Sequence, residues 1–386
     1  MSTSLATMIR LRAIQNKTRK LFEGMSDIHY RLQYHHDLSP AGWHFGHGLF
    51  IENYWLHEVI AGDNQFTQNE SSLFIPENCP KPSRGPKLPP LNELLIKAQN
   101  DQDSNDLLLM EMTPPLSEHT LFKDEYIENF IIQHYAQHFE TIHMVLSQIE
   151  IKKDKGRFTP EHTLRPQTLK RNMSHIKQGQ YSVGGTRPYS YDNELPGYEI
   201  HLDNCYIANT PVTNGEFLSF VQDDGYQRSE LWSEQGWQWR EGNLIEHPEH
   251  WVLSKQNQWY AINHLGPFDL LDNDFVSGLS HYEASAFATW AQARLPHEHE
   301  WETAARLELI KHTTDVWEWC NNTLFAYPGF KAFPYDEYSQ PWFDNKHYVL
   351  KGASHITRPE IKRASFRNFY QAHQRHIFAG IRLVYE

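Results

Sequence analysis

The sequence predicts a two-domain α + (α+β) protein: an N-terminal four-helix bundle (residues 1–150) followed by a loop-rich α+β domain (residues 181–386). Three observations favour this fold class. The length of 386 residues exceeds the roughly 100–200 residues of one domain. Apolar residues recur at helical spacing in the first 150 residues. From about residue 181, short strand-like runs lie among many Gly, Asn, Asp and Trp residues.

Four segments carry the helical pattern. Residues 5–22 and 39–60 are the first two, and the second begins with Ser-Pro, where proline is compatible with a first helical turn. A Pro-rich stretch then interrupts the pattern. A shorter helix is predicted near 91–111 and a long one from about 117 to 149. Helices of this number and length are typical of a bundle.

Segment 151–180 is polar and basic without an apolar period, so we interpret it as a linker at a domain boundary. Beyond it, the pattern predicts three strands and two helices. They are the strands Tyr198–Leu202, Val349–Lys351 and Ile381–Val384, and the helices Asn214–Val221 and Tyr282–Arg294.

The charge balance and the cysteines limit the function classes. A net charge of −13, from 35 basic and 48 acidic residues, repels phosphate backbones and anionic bilayers, so we expect no nucleic-acid and no membrane partner. Three distant cysteines (Cys79, Cys205 and Cys320) favour a reducing compartment over a disulfide framework. Neither a membrane-spanning run nor a signal peptide is evident. We therefore expect a cytoplasmic protein, as a monomer or weak dimer.

Histidines at ligand spacing are the strongest chemical signal among the 24 in the chain. His134 and His138, in HYAQH, project from one face of the last helix and can share a metal. In GWHFGH, His44 and His47 lie three residues apart on the second helix. Facing helices of a bundle supply ligands in this way. Three neutral imidazoles suit iron, copper or zinc and leave open positions of the catalytic type.

The motifs carry a family resemblance. SPAGWHFGH, followed about 90 residues later by HYAQHFET, resembles the DinB-type four-helix domain of the non-haem iron(II) sulfoxide synthases of ergothioneine biosynthesis, the EgtB family. The C-terminal half is similar to the C-type-lectin-like, formylglycine-generating-enzyme-like (sulfatase-modifying factor) domain that this family fuses to its bundle. Its ordered motifs include IANTPVTNGEFLSFVQDDGY, RLPHEHEWETAAR, VWEWCNN and HIFAGIRLV.

The resemblance implies a metal site and a reaction. In the family, the residues that match His47, His134 and His138 hold Fe(II), and His44 is then a packing residue or a partner behind the ligands. With O2 as co-substrate, the family joins hercynine, or a close histidine derivative, to a cysteine-type thiol. A C–S bond and a sulfoxide form together, in a cleft between the two domains.

The resemblance also implies a site for hercynine. The matching residues are Gln137, Asn368 and Phe369. Amide dipoles can orient the charged ends of the substrate, and an aromatic face favours a quaternary ammonium. The alternative for Asn368 is an amide that stabilises a turn.

A tyrosine near the metal is the family's proton donor. The candidates in the matching regions are Tyr327, Tyr335, Tyr338 and Tyr370. The residues alone do not choose among them, and we expect at least half of them to be structural.

The chain departs from the family where the thiol donor binds. Members that accept γ-glutamylcysteine carry an Asp and an Arg after the Asn-aromatic pair, whereas Tyr370 and Gln374 stand here. The missing charges favour a smaller donor, cysteine itself. Arg84 offers a planar guanidinium that could pair with a carboxylate, and its alternative is a solvated surface residue.

Other functions remain as alternatives. Related enzymes of the same plan attach sulfur to another imidazole carbon of histidine, as in ovothiol biosynthesis, or join a selenosugar to hercynine. Formylglycine generation needs a late pair of cysteines, which this sequence lacks. A non-catalytic binding module and a zinc-dependent thiol transferase are the alternatives from other classes.

Overall fold

The computed structural model describes residues 3–170 and 172–386 and shows a mixed α+β protein, which confirms the α+β class predicted from the sequence. The chain divides into two compact units. The first runs up to Lys152 and includes Arg187–Tyr189 and Arg358–Ile361. The second comprises Lys153–Thr186, Ser190–Thr357 and Lys362–Glu386.

The first part of the chain is helical. Its α-helices are α1 (Leu5–Lys20), α2 (Asp27–Arg31), α3 (Ala41–Asn53), α4 (Ser71–Phe74), α5 (Lys81–Lys87), α6 (Leu91–Met110) and α7 (Tyr126–Lys153). The helix α3 continues as a π-helical segment, Tyr54–Ala61, which ends at Gly62 with a positive φ of 71°. Among the described residues, none of the helices combines the length and the apolar character needed to cross a bilayer.

A buried carboxylate connects the four long helices of the first unit. Glu52 on α3 accepts hydrogen bonds from Gln15 on α1 (3.0 Å), Asn105 on α6 (2.8 Å) and Tyr135 on α7 (2.7 Å). All four side chains are at most 1% exposed. These bonds fix how α3, which carries His47, lies against α7, which carries His134.

The second unit combines short strands and helices. Its helices are α8 (Asn214–Gln222), α9 (Glu234–Asn243), α10 (His281–Trp290) and α11 (Glu298–Arg306). Its strands are β1 (Met173–Ile176), β2 (Gly179–Val183), β3 (Tyr198–Leu202), β4 (Cys205–Ala208), β5 (Trp251–Leu253), β6 (Trp259–Asn263), β7 (Gly266–Asp269), β8 (Trp317–Thr323), β9 (His347–Gly352), β10 (Asn368–Gln371), β11 (Ala379–Gly380) and β12 (Val384–Tyr385).

The sheets of this unit are small and mostly antiparallel. Their strand orders are β1-β4-β12, β10-β9-β8-β11, β2-β3 and β5-β6-β7. In the first sheet Ile207 of β4 lies opposite Val384 of β12, and both pack with Trp301 of α11 in one apolar cluster. The core therefore forms where α11 covers this sheet.

Buried ion pairs connect distant segments of the second unit, where short strands leave little regular structure. Arg367 pairs with Glu298 (2.7 Å) and Arg382 with Glu318 (2.6 Å), and all four side chains are fully buried. The Arg382 guanidinium also donates to the carbonyl of Ala208 on β4. A buried charge of this kind is tolerated only with a partner.

Several predicted segments differ from the structure. Of the predicted strand Ile381–Val384, only Val384 belongs to a strand, β12. The long helix begins at Tyr126 rather than near residue 117, because positive φ angles at Asp124 and Glu125 interrupt the chain before it. The end of the segment predicted as a linker forms β1 and the start of β2. The four residues of β1 are too short a run to give a recognisable alternation.

Candidate metal centre

Two helices of the first unit bring three histidines together. His134 and His138 lie one turn apart on α7, and His47 of α3 faces them. Each of the three offers one ring nitrogen, and these nitrogen atoms all lie within 4.8 Å of one another. The ring centroids are 4.5 Å (His134–His138), 4.8 Å (His47–His138) and 5.1 Å (His47–His134) apart. The arrangement is one that a single metal ion can occupy.

A backbone carbonyl determines which nitrogen of His47 can bind a metal. Nδ1 lies 2.7 Å from the carbonyl oxygen of Phe74, so Nδ1 carries the proton and donates it. The lone pair is then on Nε2. A histidine ligand whose second nitrogen donates to a carbonyl is typical of protein metal sites.

The imidazoles are held in the neutral form that ligation requires. Burial lowers the pKa of His47 to about 4 and lowers those of His134 and His138 well below the ordinary value. Each imidazolium would also be repelled by a neighbour: Arg84 acts on His47, and the other histidines act on His134 and His138. Charge-neutral nitrogen donors in a buried site suit a transition metal.

The sequence did not single out Trp43, although it lies directly behind His47. The two rings are stacked, with centroids 4.6 Å apart and planes at 11°. The indole Nε1 donates to the carbonyl of Leu73 (2.8 Å). The spacing of four residues on one helix was the available signal, since such residues share a face.

Arg84 is buried against Trp43 rather than exposed on the surface. Its side chain is 5% exposed, and its guanidinium carbon lies 3.8 Å from the centre of the indole. The group donates to the carbonyls of Cys79 (2.8 Å) and Pro76 (3.1 Å) and to the hydroxyl of Ser39. The alternative of a solvated residue is therefore wrong, whereas a contact with a substrate carboxylate stays a prediction.

His44 and Gln137 lie beside the three histidines. Nδ1 of His44 is 3.1 Å from Nδ1 of His138, so His44 is a hydrogen-bond partner of a candidate ligand. Gln137 precedes His138 on α7 and is half-buried. Its contact with a substrate stays a prediction.

The predicted substrate residues of the second unit lie on β10 and in the turn after it. Asn368 accepts a hydrogen bond from the backbone N–H of Phe369 (3.0 Å), and both residues lie in β10 rather than in a turn. Phe369 packs on an apolar cluster that contains Val349. Gln374 accepts from the backbone of Gln371 (2.9 Å). Their role in binding a substrate stays a prediction.

The four candidate tyrosines occupy different surroundings. Tyr327 is 2% exposed, donates to Glu298 (3.4 Å) and packs on Arg367, which favours a structural role. Tyr338 is half-buried and stacks on Tyr191, with centroids 4.3 Å apart.

The other two tyrosines are also half-buried. The ring centroid of Tyr335 lies 6.4 Å from that of Tyr338. The ring centroid of Tyr370 lies 6.0 Å from that of His376. Each remains a candidate proton donor.

This chain is similar to several known proteins. The family model of the sulfatase-modifying factor enzyme 1-like domain matches residues 160–313 and 307–386. A "Hercynine oxygenase" of Mycobacterium tuberculosis is 32% identical over 243 residues, which are 52% of this chain and 56% of that protein. This chain therefore aligns with about half the length of that relative.

Two further relatives cover different shares of the chain. A "Hercynine oxygenase" of Mycolicibacterium smegmatis is 27% identical over 430 aligned positions, covering 96% of each chain. An "Ergothioneine biosynthesis protein 1" of Schizosaccharomyces pombe is 26% identical over 230 residues, covering 51% of this chain and 27% of that protein.

Proposed function

We propose a function on the premise that the chain belongs to the family of the sulfatase-modifying factor enzyme 1-like domain and, within it, to the EgtB-like oxidative enzymes. The proposed reaction joins hercynine, or a close histidine derivative, to a cysteine-type thiol with O2 as the oxidant. One C–H and one S–H bond break and one C–S bond forms. One oxygen atom ends in the sulfoxide and the other, with both hydrogens, in water.

The arrangement of His47, His134 and His138 is the single observation that carries this proposal. Three neutral nitrogen donors converge within 4.8 Å, and no carboxylate belongs to this group among the described residues. These residues fit Fe(II), which would supply the activation of O2 when bound. A site with only three protein ligands leaves positions for exchangeable groups.

We also propose, from the same three histidines, that the helical unit is of the DinB type. Two of its long helices, α3 and α7, face each other and contribute the three histidines. Ligand sites in helical bundles are built in this way from facing helices.

The rest of the chain would bind and orient the substrates. Gln137, Asn368 and Phe369 are the proposed hercynine residues, with amides for the carboxylate and ammonium ends and an aromatic face for the methylated cation. The neutral Gln374 favours cysteine over a donor with an additional carboxylate. Among the described residues, the Arg84 guanidinium binds the protein through three of its five N–H groups, and we propose that the other two face a carboxylate of the substrate.

The proton donor is proposed among Tyr335, Tyr338 and Tyr370. A phenol keeps its proton near pH 7 and can give it to a developing oxyanion. Each of the three is half-buried. Tyr327 is the weaker candidate because its hydroxyl already donates to Glu298.

The deciding experiment is anaerobic loading of the full chain with Fe(II), followed by O2 and mass spectrometry. The mixture offers hercynine, histidine, cysteine and γ-glutamylcysteine. We expect a hercynine–cysteine sulfoxide from the wild type and none from His134→Gln. The matched control is His29→Gln, since His29 lies in the same unit but contacts Tyr34 rather than the three histidines.

Other results of this experiment would support one of the alternative functions or contradict the proposal. An adduct of unmethylated histidine would indicate the ovothiol-type reaction. Turnover only with a selenosugar donor would indicate the selenium branch. Absence of iron binding and of oxygen uptake would contradict the proposed function.

A further inference from the structure

Two successive carbonyls of the short helix α4 hold two stacked rings of α3. The last carbonyls of any helix have no partner within the helix. Here the carbonyl of Leu73 accepts from the indole of Trp43 (2.8 Å), and that of Phe74 accepts from His47 (2.7 Å). The end of α4 thus provides two neighbouring carbonyl acceptors, one for the indole of Trp43 and one for the imidazole of His47.

A hydrogen bond alone would leave His47 free to turn. A bond from Nδ1 to one carbonyl favours one tautomer, but it still tolerates rotation of the imidazole about its χ1 and χ2 torsions. The indole of Trp43 prevents this rotation, because its plane lies at 11° to the imidazole at a centroid distance of 4.6 Å. The direction of the Nε2 lone pair is therefore determined by Trp43 and Phe74 together.

The indole is itself held by a cation. The Arg84 guanidinium lies over the indole at 3.8 Å, and its position is fixed by hydrogen bonds to Ser39, Pro76 and Cys79. Planar guanidinium groups stack well on aromatic faces. Trp43 is 3% exposed, so these contacts are made without competition from water.

We infer that Trp43 is a positioning residue for the candidate metal ligand His47, acting through ring stacking and supported by Arg84. The inference rests on the proposed metal site, since it assigns a function to the orientation of His47. It concerns the indole of Trp43, which packs behind His47 and is not itself one of the candidate ligands. Such outer partners commonly contribute about 10–100-fold to metal affinity.

The test uses Co²⁺ alone as the probe, added to the metal-free full chain and followed by its visible absorption. We expect Trp43→Leu to weaken Co²⁺ binding by about 10–100-fold. Trp43→Phe keeps a ring but loses the bond to Leu73, so we expect an intermediate loss. Phe22→Leu is the control, because Phe22 is an equally buried ring of the same unit that packs on Tyr30 and Phe45 rather than on a candidate ligand.

A second readout does not need metal. In ¹⁵N-histidine-labelled, metal-free protein, His47 is assigned by its loss in His47→Gln. We expect a single Nδ1–H tautomer in the wild type. In Trp43→Leu we expect an averaged one, because an imidazole that is free to turn leaves the carbonyl of Phe74 for part of the time. A purely structural role of Trp43 would lower stability, as in Phe22→Leu, without changing this signal.

The outcomes separate the inference from the proposed function. If the wild type binds no Co²⁺, the metal site fails, and the tautomer signal still tests the inference. Wild-type affinity and an unchanged tautomer in Trp43→Leu would overturn the inference. If that variant does not fold, wild-type values of both quantities in Trp43→Phe would overturn it instead.

Discussion

At the residue scale, Glu128 on α7 lies where a carboxylate is disfavoured. It is 1% exposed, and Oε1 accepts a hydrogen bond from Thr3 (2.7 Å). Among the described residues, Oε2 has no hydrogen-bond partner. Burial raises the pKa of Glu128 to about 7, with a smaller contribution from Glu125. The folded protein therefore binds a proton there that the unfolded chain, with a glutamate pKa of about 4.3, releases.

Glu128→Gln tests the consequence of this pKa. A carboxyl with a raised folded-state pKa stabilises the protein at low pH and loses this contribution as pH rises toward 7. Glutamine carries no such proton. We expect the stability of the variant relative to the wild type to increase by about 2 kcal/mol between pH 5 and pH 8. Urea unfolding at the two pH values measures this, and an unchanged difference would contradict it.

The metal centre was partly predictable from single residues. The spacing of His134 and His138 identified two candidate ligands, because a helix places such residues on one face. His47 followed from the family resemblance, and the geometry brings all three together. The carbonyl of Phe74 was not found, because α4 has four residues and no pattern indicates where its end lies. Trp43 was missed although its four-residue spacing from His47 places both on one face of α3.

At the element scale, the carboxylate of Glu52 is a hydrogen-bond acceptor that connects the four long helices of the first unit. Glu52 receives hydrogen bonds from Gln15, Asn105 and Tyr135, each on a different helix. Burial raises the pKa of Glu52, and the three donors oppose this effect. The carboxylate is buried without a cation among these partners, so neutral donors alone compensate for its lost hydration.

Glu52→Leu is expected to destabilise the protein by about 3 kcal/mol or more, because it leaves three buried donors without an acceptor. Glu52→Gln retains one acceptor oxygen and is expected to lose less. Chemical unfolding of both variants measures the difference. Glu23→Ala is the control, because Glu23 is exposed in the same unit. Equal losses for Glu52→Leu and Glu52→Gln would show that the hydrogen bonds are not responsible.

Substitution by alanine is expected to have opposite effects at two helical glycines, Gly46 and Gly242. A Cβ at Gly46 on α3 would lie 2.3 Å from the ring of Phe74, which is 1% exposed. Gly46→Ala should therefore displace Phe74 and weaken Co²⁺ binding through His47. At Gly242 on α9 a Cβ meets nothing within 4 Å.

Gly242→Ala is thus the matched control and should stabilise the protein by roughly 0.5–1 kcal/mol. Thermal unfolding and a Co²⁺ titration of both variants provide the measurements. Unchanged Co²⁺ affinity in Gly46→Ala would contradict the first expectation. A lower melting temperature in Gly242→Ala would contradict the second.

The elements themselves were predicted unevenly. Helical periodicity located α1, α3, α6 and α7, because their apolar positions repeat over several turns. The helix predicted over residues 39–60 includes the π-helical segment, but its π geometry was not predicted, and neither were the short helices α4 and α5. Segments of four to eight residues contain too few repeats, and Pro86 inside α5 argues against a helix by local rules.

At the scale of the whole molecule, the two units have separate spectroscopic signatures. Ten of the twelve tryptophans lie in the second unit, and Trp43 and Trp55 lie in the first. Near-ultraviolet circular dichroism therefore reports mainly on the second unit. We expect His134→Gln to leave that spectrum close to the wild type, because the substitution lies in the helical unit.

Arg382→Met tests what stabilises the second unit. It removes the guanidinium that pairs with Glu318 at full burial and leaves that carboxylate without its cation. Breaking such a pair from one side typically costs about 3–5 kcal/mol. Tryptophan fluorescence during urea unfolding should show the loss. A loss below about 1 kcal/mol would indicate that other donors, such as Trp301 (2.5 Å to Glu318), are sufficient.

The stacking of Trp43 on His47 also makes the protein its own optical reporter. An excited indole loses its energy to a paramagnetic ion a few ångströms away. The imidazole of His47, with its centroid 4.6 Å from that of the indole, would lie between Trp43 and a bound ion. Loading with iron or cobalt should quench the fluorescence of Trp43. The difference in emission between the wild type and Trp43→Phe separates the fluorescence of Trp43 from that of the other eleven tryptophans. Metal arrival could then be followed in real time without a label.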